Sequence, residues 1–281
     1  LPLLALAAPA SAEPGLPNEE QVSNALDAYP AVEAARQRVS AARSSARARA
    51  ASPHDFTVTG SYTRRSIDLE GDFDEFDAEL MRGVRLPGKA RLDREIGTHL
   101  VDAAQNMAED TRHQAALVLA QHWWDWLSAS AVAQVDQRAV ANLEAALAAV
   151  QRRMELGDAA ALDLDQAEAA LGAARVRAAQ SAGEADLART RLTTHFPALA
   201  MPAEAPEIPV PEMAADELSR LSRLVVMNSH EIAAAEAQAR AVEASAARAR
   251  LDRVADPSLG VRVFSERGGA ETGAGLVFSM P

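Results

Sequence analysis

No proline falls between Pro87 and Pro197, and the run between them is rich in alanine with its apolar residues at helical spacing. Leu92, Ile96, Leu100, Ala103 and Met107 follow steps of three and four, as do Val132, Val135, Ala139, Leu143, Ala146 and Val150. Beyond Gly157 the series Leu164, Ala167, Leu171, Ala174, Ala178, Ser181, Ala185, Ala188 and Leu192 alternates three and four throughout, which is a heptad seam. A helix over 88–156 would be about 100 Å long at about 1.5 Å per residue. In "RRMELGDAAALDLDQAEAAL", Gly157 stands where a left-handed C-cap is needed, and Asp158 or Asp163 can cap the returning helix. The spacing therefore predicts a helical hairpin over 88–196 with its tip near residue 157. A seam built mostly of alanine offers two helices too little apolar surface to stand alone in water, so the hairpin is expected to pack against further helices.

The composition agrees with long, closely packed helices. Hydrophobic residues make up 48% of the 281-residue chain but aromatic residues only 4%, so a thick globular interior is not expected. The absence of cysteine rules out disulfide scaffolds, thiol catalysis, cysteine metal sites and a cysteine lipid anchor. A net charge of −12 argues against nucleic acid as a partner, since binding phosphates requires a basic face. No stretch offers the roughly 18 uninterrupted apolar residues of a membrane-crossing helix, so entry into a bilayer would require β-strands. The opening "LPLLALAAPASA", residues 1–12, reads as the remnant of a secretory signal ending in Ala10-Ser11-Ala12; a frayed apolar N-terminus is the other reading.

Around the hairpin the rhythm changes. In "FTVTGSYT", Phe56, Val58, Gly60 and Tyr62 alternate with Thr57, Thr59, Ser61 and Thr63, the period of a strand with one apolar and one polar face. A second strand is predicted from Phe76 to Leu86, with Arg82 on its apolar side, and the acidic "SIDLEGDFDE" between them reads as a loop. Strands of about ten residues suit either a soluble β-hairpin or one crossing an outer membrane at a tilt.

The chain also repeats itself. "YPAVEAARQRVSAARSSARARAASP" aligns with "SHEIAAAEAQARAVEASAARARLDRVADP", Val32 matching Ile232 and Ser45 matching Ser245, and each copy leads into a strand, a polar loop and a second strand ending in proline. The expected organisation is the signal remnant (1–12), helices of the first repeat (13–55), a first β-hairpin (56–86) and the long helical hairpin (88–196). A proline-rich linker with a short helix from Glu217 to Val226 (197–226), the second repeat's helix (227–257) and a second β-hairpin (258–281) complete it. Copy two stops where a second helical hairpin would begin.

This order resembles the TolC-like outer membrane efflux proteins. "NSHEIAAAEAQARAVEASAARA" is similar to that family's repeated opening helix, and the run from "HWWDWLSAS" to "LDQAEAAL" to its first long hairpin. "VRLPGKARLDREIG" and "ADPSLGVRVFSERGGAETGAGLVFSMP" are similar to the heavy-metal branch that includes CzcC-like proteins. The likeness spans nearly all of residues 18 to 281. It implies a mainly helical fold with a β-barrel contribution: a long antiparallel coiled-coil hairpin plus two transmembrane β-hairpins, assembled as a homotrimeric α/β barrel. It further implies the outer membrane of a Gram-negative bacterium, with helices in the periplasm and outer membrane lipid around the strands. The implied role is the passive exit duct of a tripartite (RND-type) pump, with heavy-metal cations as the branch's cargo, working with a periplasmic adaptor and an inner-membrane pump. At the hairpin tip Arg153, Gly157, Asp158, Ala161 and Asp163 match the family's adaptor-docking turn, with Ala161 where a hydroxyl residue often stands.

A conduit needs a polar, water-filled lumen, so the lumen-facing candidates are the polar-side strand residues Thr57, Thr59, Ser61, Asp77, Glu79, Arg85 and Arg262. Histidines 54, 99, 113, 122, 195 and 230 include no pair at i, i+4 spacing and no zinc motif, so no metal ligand is assigned and the rings read as solvated or packed. "HWWDW" reads as packing within the helical wall. No nucleophile elbow, phosphate loop or dinucleotide fingerprint is present, so neither an enzyme nor a cofactor is expected. A periplasmic adaptor with its own helical hairpin and a structural coiled coil are the rival readings.

Overall fold

Pro30 and Pro87 each open a helix, at the one helical position where a missing N–H costs nothing. The computed structural model describes residues 15–51, 53–208 and 215–280, so the expected signal remnant, 1–12, lies outside the described residues, as does part of the proline-rich linker. The helices are α1 (Glu19–Asp27), α2 (Pro30–Ala50), α3 (Pro87–Glu155), α4 (Ala161–His195), α5 (Ala215–Met227) and α6 (His230–Leu251); the strands are β1 (Phe56–Ile67), β2 (Gly71–Gly83), β3 (Ser258–Glu266) and β4 (Glu271–Ser279). Two compact units divide the chain, residues up to 34 with 110–228 in one and residues 35–109 with 229–281 in the other.

In the first unit the core gathers the few large side chains of a chain poor in them. Trp123, Trp126 and Leu127 of α3 pack with Leu192 of α4, with Phe196 and Leu199 beyond it, and with Ala25 and Leu26 of α1. The two tryptophan rings meet edge to face at 5.2 Å, Tyr29 stacks on Phe196 at 5.0 Å, and the Trp123 indole N–H donates to the Gly15 carbonyl. A thinner cluster, Val140, Leu171 and Ala178, continues the α3–α4 seam. α1 is capped by Asn18, whose side chain accepts the Glu20 N–H at 2.8 Å.

In the second unit, helices approach closely because their contact faces are small. The buried stripe of α6 is Ala234, Ala237, Ala241 and Ala244. Gly97 of α3 lies against α2: a methyl there would sit 3.1 Å from the Cβ of Ala46, so the glycine sets the approach of the two helices. The four strands form one antiparallel sheet in the order β1-β2-β3-β4, so the two copies of the repeat join through β2 and β3.

The sheet corrects two expectations. The acidic stretch 66–75 is not a loop: β1 runs to Ile67, which pairs with Gly71, leaving only residues 68–70 as the turn. Its carboxylates are cross-strand partners, Arg64 meeting Asp72 at 3.3 Å, Arg65 meeting Glu75 at 2.5 Å and the Tyr62 hydroxyl donating to Asp74 at 2.8 Å. At its other end β2 stops at Gly83 instead of reaching Leu86, and Arg85 lies outside the strand. Among the described residues no helix is long and apolar enough to cross a membrane.

Candidate functional site

Alternation, strict in β1 and looser in the other three strands, with threonine, valine and aromatic residues suited to a pleated surface, gives the sheet two chemically different faces. Directly paired residues share a face, so the register assigns each row. On one face lie Phe56, Arg82, Leu259 and Phe278, then Val58, Leu80, Val261 and Leu276, then Gly60, Ala78, Val263 and Ala274, then Tyr62, Phe76, Ser265 and Thr272. Its apolar side chains are uncovered, Val58 being 75% and Leu276 91% exposed. Aromatic residues bound it at both ends, about 20 Å apart along the strand at about 3.3 Å per residue. Arg82, the one charge in these rows, sits in a terminal row, its guanidinium 4.7 Å from the Phe56 ring and its Nε donating to the His54 carbonyl.

The opposite face brings together six of the seven residues selected from the sequence as polar-side. Thr57 lies in a row with Met81, Gly260 and Val277; Thr59 with Glu79, Arg262 and Gly275; Ser61 with Asp77, Phe264 and Gly273. Arg262 donates from Nε to Asp77 and lies 5.8 Å from the Phe264 ring. The seventh, Arg85, is elsewhere. Its side chain is buried, donating to the Arg49 and Ala50 carbonyls at 2.7 and 2.6 Å and to Asp93 at 2.8 Å, so it closes the C-terminus of α2. The two-residue period of β2 ends before it.

Arg85 belongs to a buried ionic knot that pins both junctions between strand and helix. Asp93 also accepts from Arg248 of α6, and Lys89, 3% exposed, meets Asp256 at 3.0 Å. Asp256 accepts in addition from the Leu86 N–H and pairs with His54. Burial alone would raise the Asp256 pKa, but Lys89, His54 and the Leu86 N–H overrule it and hold the carboxyl down at about 2. The paired Arg248 and Lys89 likewise lower the Asp252 carboxyl. Sequence reasoning missed Lys89, Asp93, Arg248 and Asp256, and the one local hint was charge clustered beside the prolines at 87 and 257.

At the hairpin tip, Gly157 takes φ +78°, its N–H bonds to the Met154 carbonyl and the Asp158 N–H to that of Arg153, a Schellman end for α3. Arg153 reaches across to the Asp158 carbonyl at 3.0 Å and carboxylate at 3.5 Å. Of the two candidate caps for the returning helix, Asp163 acts: its carboxylate accepts the Ala160 N–H at 3.0 Å, one residue before α4 begins at Ala161. The tip also exposes Leu156 and Leu162, 70% and 62% accessible, which the sequence reading left out.

Comparison with known proteins follows the same lines. The outer membrane efflux protein family matches residues 21–195, more than half of the chain. No curated protein matches the sequence. Among solved structures the chain is similar to CusC, a protein studied for transmembrane channel formation, at 18% identity and TM-score 0.66, covering 93% of this chain and 65% of CusC. VceC from Vibrio cholerae is similar at 17% identity and TM-score 0.64, with 93% and 67% covered. A membrane protein from Pseudomonas aeruginosa gives 19% identity, TM-score 0.68 and coverage of 98% and 71%. The chain thus spans about two thirds of the length of these structures, and the shared fold is mainly helical with an antiparallel sheet. By its family match this chain is a member of the outer membrane efflux protein family.

Proposed function

We propose that this chain is a subunit of an outer membrane efflux channel, the exit duct of a tripartite pump, and has no catalytic role. The observation that carries the reading is the two-faced sheet: an uncovered apolar band on one side and, on the other, the surface that holds Thr57, Thr59, Ser61, Asp77, Glu79 and Arg262, with β1 and β4 both left as open edges. An open edge cannot face lipid, where every backbone group must be paired within protein, so such a sheet is satisfied by closing with others. Three copies with four strands each make a twelve-stranded barrel in a homotrimer, apolar band toward lipid and the row of Thr59, Glu79 and Arg262 toward the lumen. The strands, 9 to 13 residues long, are sufficient to cross an outer membrane at a tilt. The helices then lie in the periplasm, and the exposed tip, with Arg153, Gly157, Asp158, Ala161 and Asp163 beside Leu156 and Leu162, is the adaptor-docking end. Similarity of "VRLPGKARLDREIG" to the heavy-metal branch supports cationic cargo.

Membrane fractionation tests this reading. The chain is expected in the outer membrane fraction, released only by detergent; recovery as free periplasmic protein would exclude it.

A further inference from the structure

His122 and His195 stand far apart in the chain, one on each arm of the helical hairpin, yet the fold brings their imidazoles into contact. The ring centroids lie 4.8 Å apart with 30° between the planes. His122 is half-buried and His195 exposed, so the pair has an edge open to solvent, while their chain neighbours Trp123, Leu192 and Phe196 are buried in the core that fixes the two helices. Among the described residues neither ring makes a hydrogen bond, and their contact with each other is the only partnership either has. Neutral imidazole is the ligand that suits borderline divalent ions such as Zn²⁺, Ni²⁺ and Cu²⁺, and poorly suits Mg²⁺ or Ca²⁺, which take oxygen ligands.

We propose that His122 and His195 form a two-imidazole site for a borderline divalent transition ion, joining α3 to α4 beside the aromatic core. The rings are nearly parallel, so binding turns an imidazole about its side-chain torsions until one nitrogen from each ring meets the ion. No group of three or more histidine, aspartate, glutamate or cysteine residues is placed to hold a metal among the described residues, so water completes the coordination. The site is therefore open and exchangeable, unlike a closed four-ligand structural site. Because the two imidazoles meet only in the folded hairpin, the ion binds it more tightly than the unfolded chain, and occupancy stabilises the arms against local opening. Nothing in this proposal depends on the channel reading, since the two histidines belong to the hairpin itself.

The test is calorimetric titration of the full chain in detergent with NiCl₂, and separately with CaCl₂, alongside His122→Gln, His195→Gln, the double variant and His113→Gln. The proposal expects one Ni²⁺ site per chain, weakened about tenfold or more by either single substitution and no further by their combination, as expected of ligands to one ion. It expects no effect of His113→Gln and no heat with Ca²⁺. Hydrogen exchange supplies a second readout, with Ni²⁺ slowing amides around residues 115–127 and 188–196 in the parent but in neither single variant. Nickel affinity unchanged by either substitution, or lost through only one of the two histidines, would overturn a bridging site.

Discussion

At the scale of single residues the most consequential groups are the buried charges, because each is stable only while its partners are present. Asp256 titrates at about 2 in the folded chain against an ordinary 3.8, so it binds its proton less readily folded than unfolded. Its contribution is full above the unfolded value and is lost as pH falls from about 4 toward 2, amounting to about 2 kcal/mol. Denaturant unfolding across that window should show this loss in the parent and a shallower slope in Asp256→Asn; equal slopes would remove Asp256 from the explanation. Arg85→Met removes one of the two guanidinium partners of Asp93 and the donors on the last carbonyls of α2, and should cost about 3 kcal/mol in the same measurement, the lower end for breaking a buried pair because Arg248 remains. Some of this was legible in the sequence and some was not. Gly157 and a cap at Asp158 or Asp163 are legible because turn and cap chemistry is decided within a few residues; which aspartate acts is not. The partners of Asp256 and Asp93, and the meeting of His122 with His195, depend on tertiary approach between distant segments, for which one sequence carries no local signal.

Among the elements, the helical hairpin was readable because a heptad seam persists over many turns, and β1 because "FTVTGSYT" alternates without exception. The acidic stretch before Phe76 misleads for an identifiable reason: Asp72, Asp74 and Glu75 resemble loop residues until Arg64, Tyr62 and Arg65 reach them diagonally from β1. Arg85 misleads in the other direction, since Val84, Arg85 and Leu86 continue the alternation in sequence although the strand ends at Gly83. Two predictions belong at this scale. Gly157→Pro replaces a residue at φ +78° by one fixed near −65° and deletes the N–H that bonds Met154, a penalty of about 3 kcal/mol or more at the turn. Crosslinking of the tip to the adaptor should fall sharply, and undiminished crosslinking would separate the turn from docking. Val58→Arg and Val261→Arg place charge in the middle of the apolar band and should each destabilise the inserted barrel by about 2–4 kcal/mol. Normal assembly of both variants in the outer membrane would mean that the lipid-facing side has been assigned to the wrong face.

For the molecule as a whole, duplication was visible from the offset of 200 between Val32 and Ile232, and it led to four strands in two hairpins. How the two copies join was not visible: the pairing of β2 with β3 links segments whose register is set only once both hairpins exist, with Glu79 opposite Arg262 and Leu80 opposite Val261. That register makes one continuous apolar face from residues contributed by both copies, and leaves β1 and β4 as the edges through which neighbouring subunits would pair. The chain contains no cysteine, so disulfides introduced by mutation report subunit contacts without background. The most direct measurement is therefore oxidative crosslinking in outer membranes of chains carrying Ser61→Cys on β1 together with Gly273→Cys, Gly275→Cys or Val277→Cys on β4. A shared barrel predicts that at least one of these pairs yields a covalent species of three 29.7 kDa subunits. Monomers alone from every pair, in protein that has reached the outer membrane, would contradict closure of the sheet between subunits.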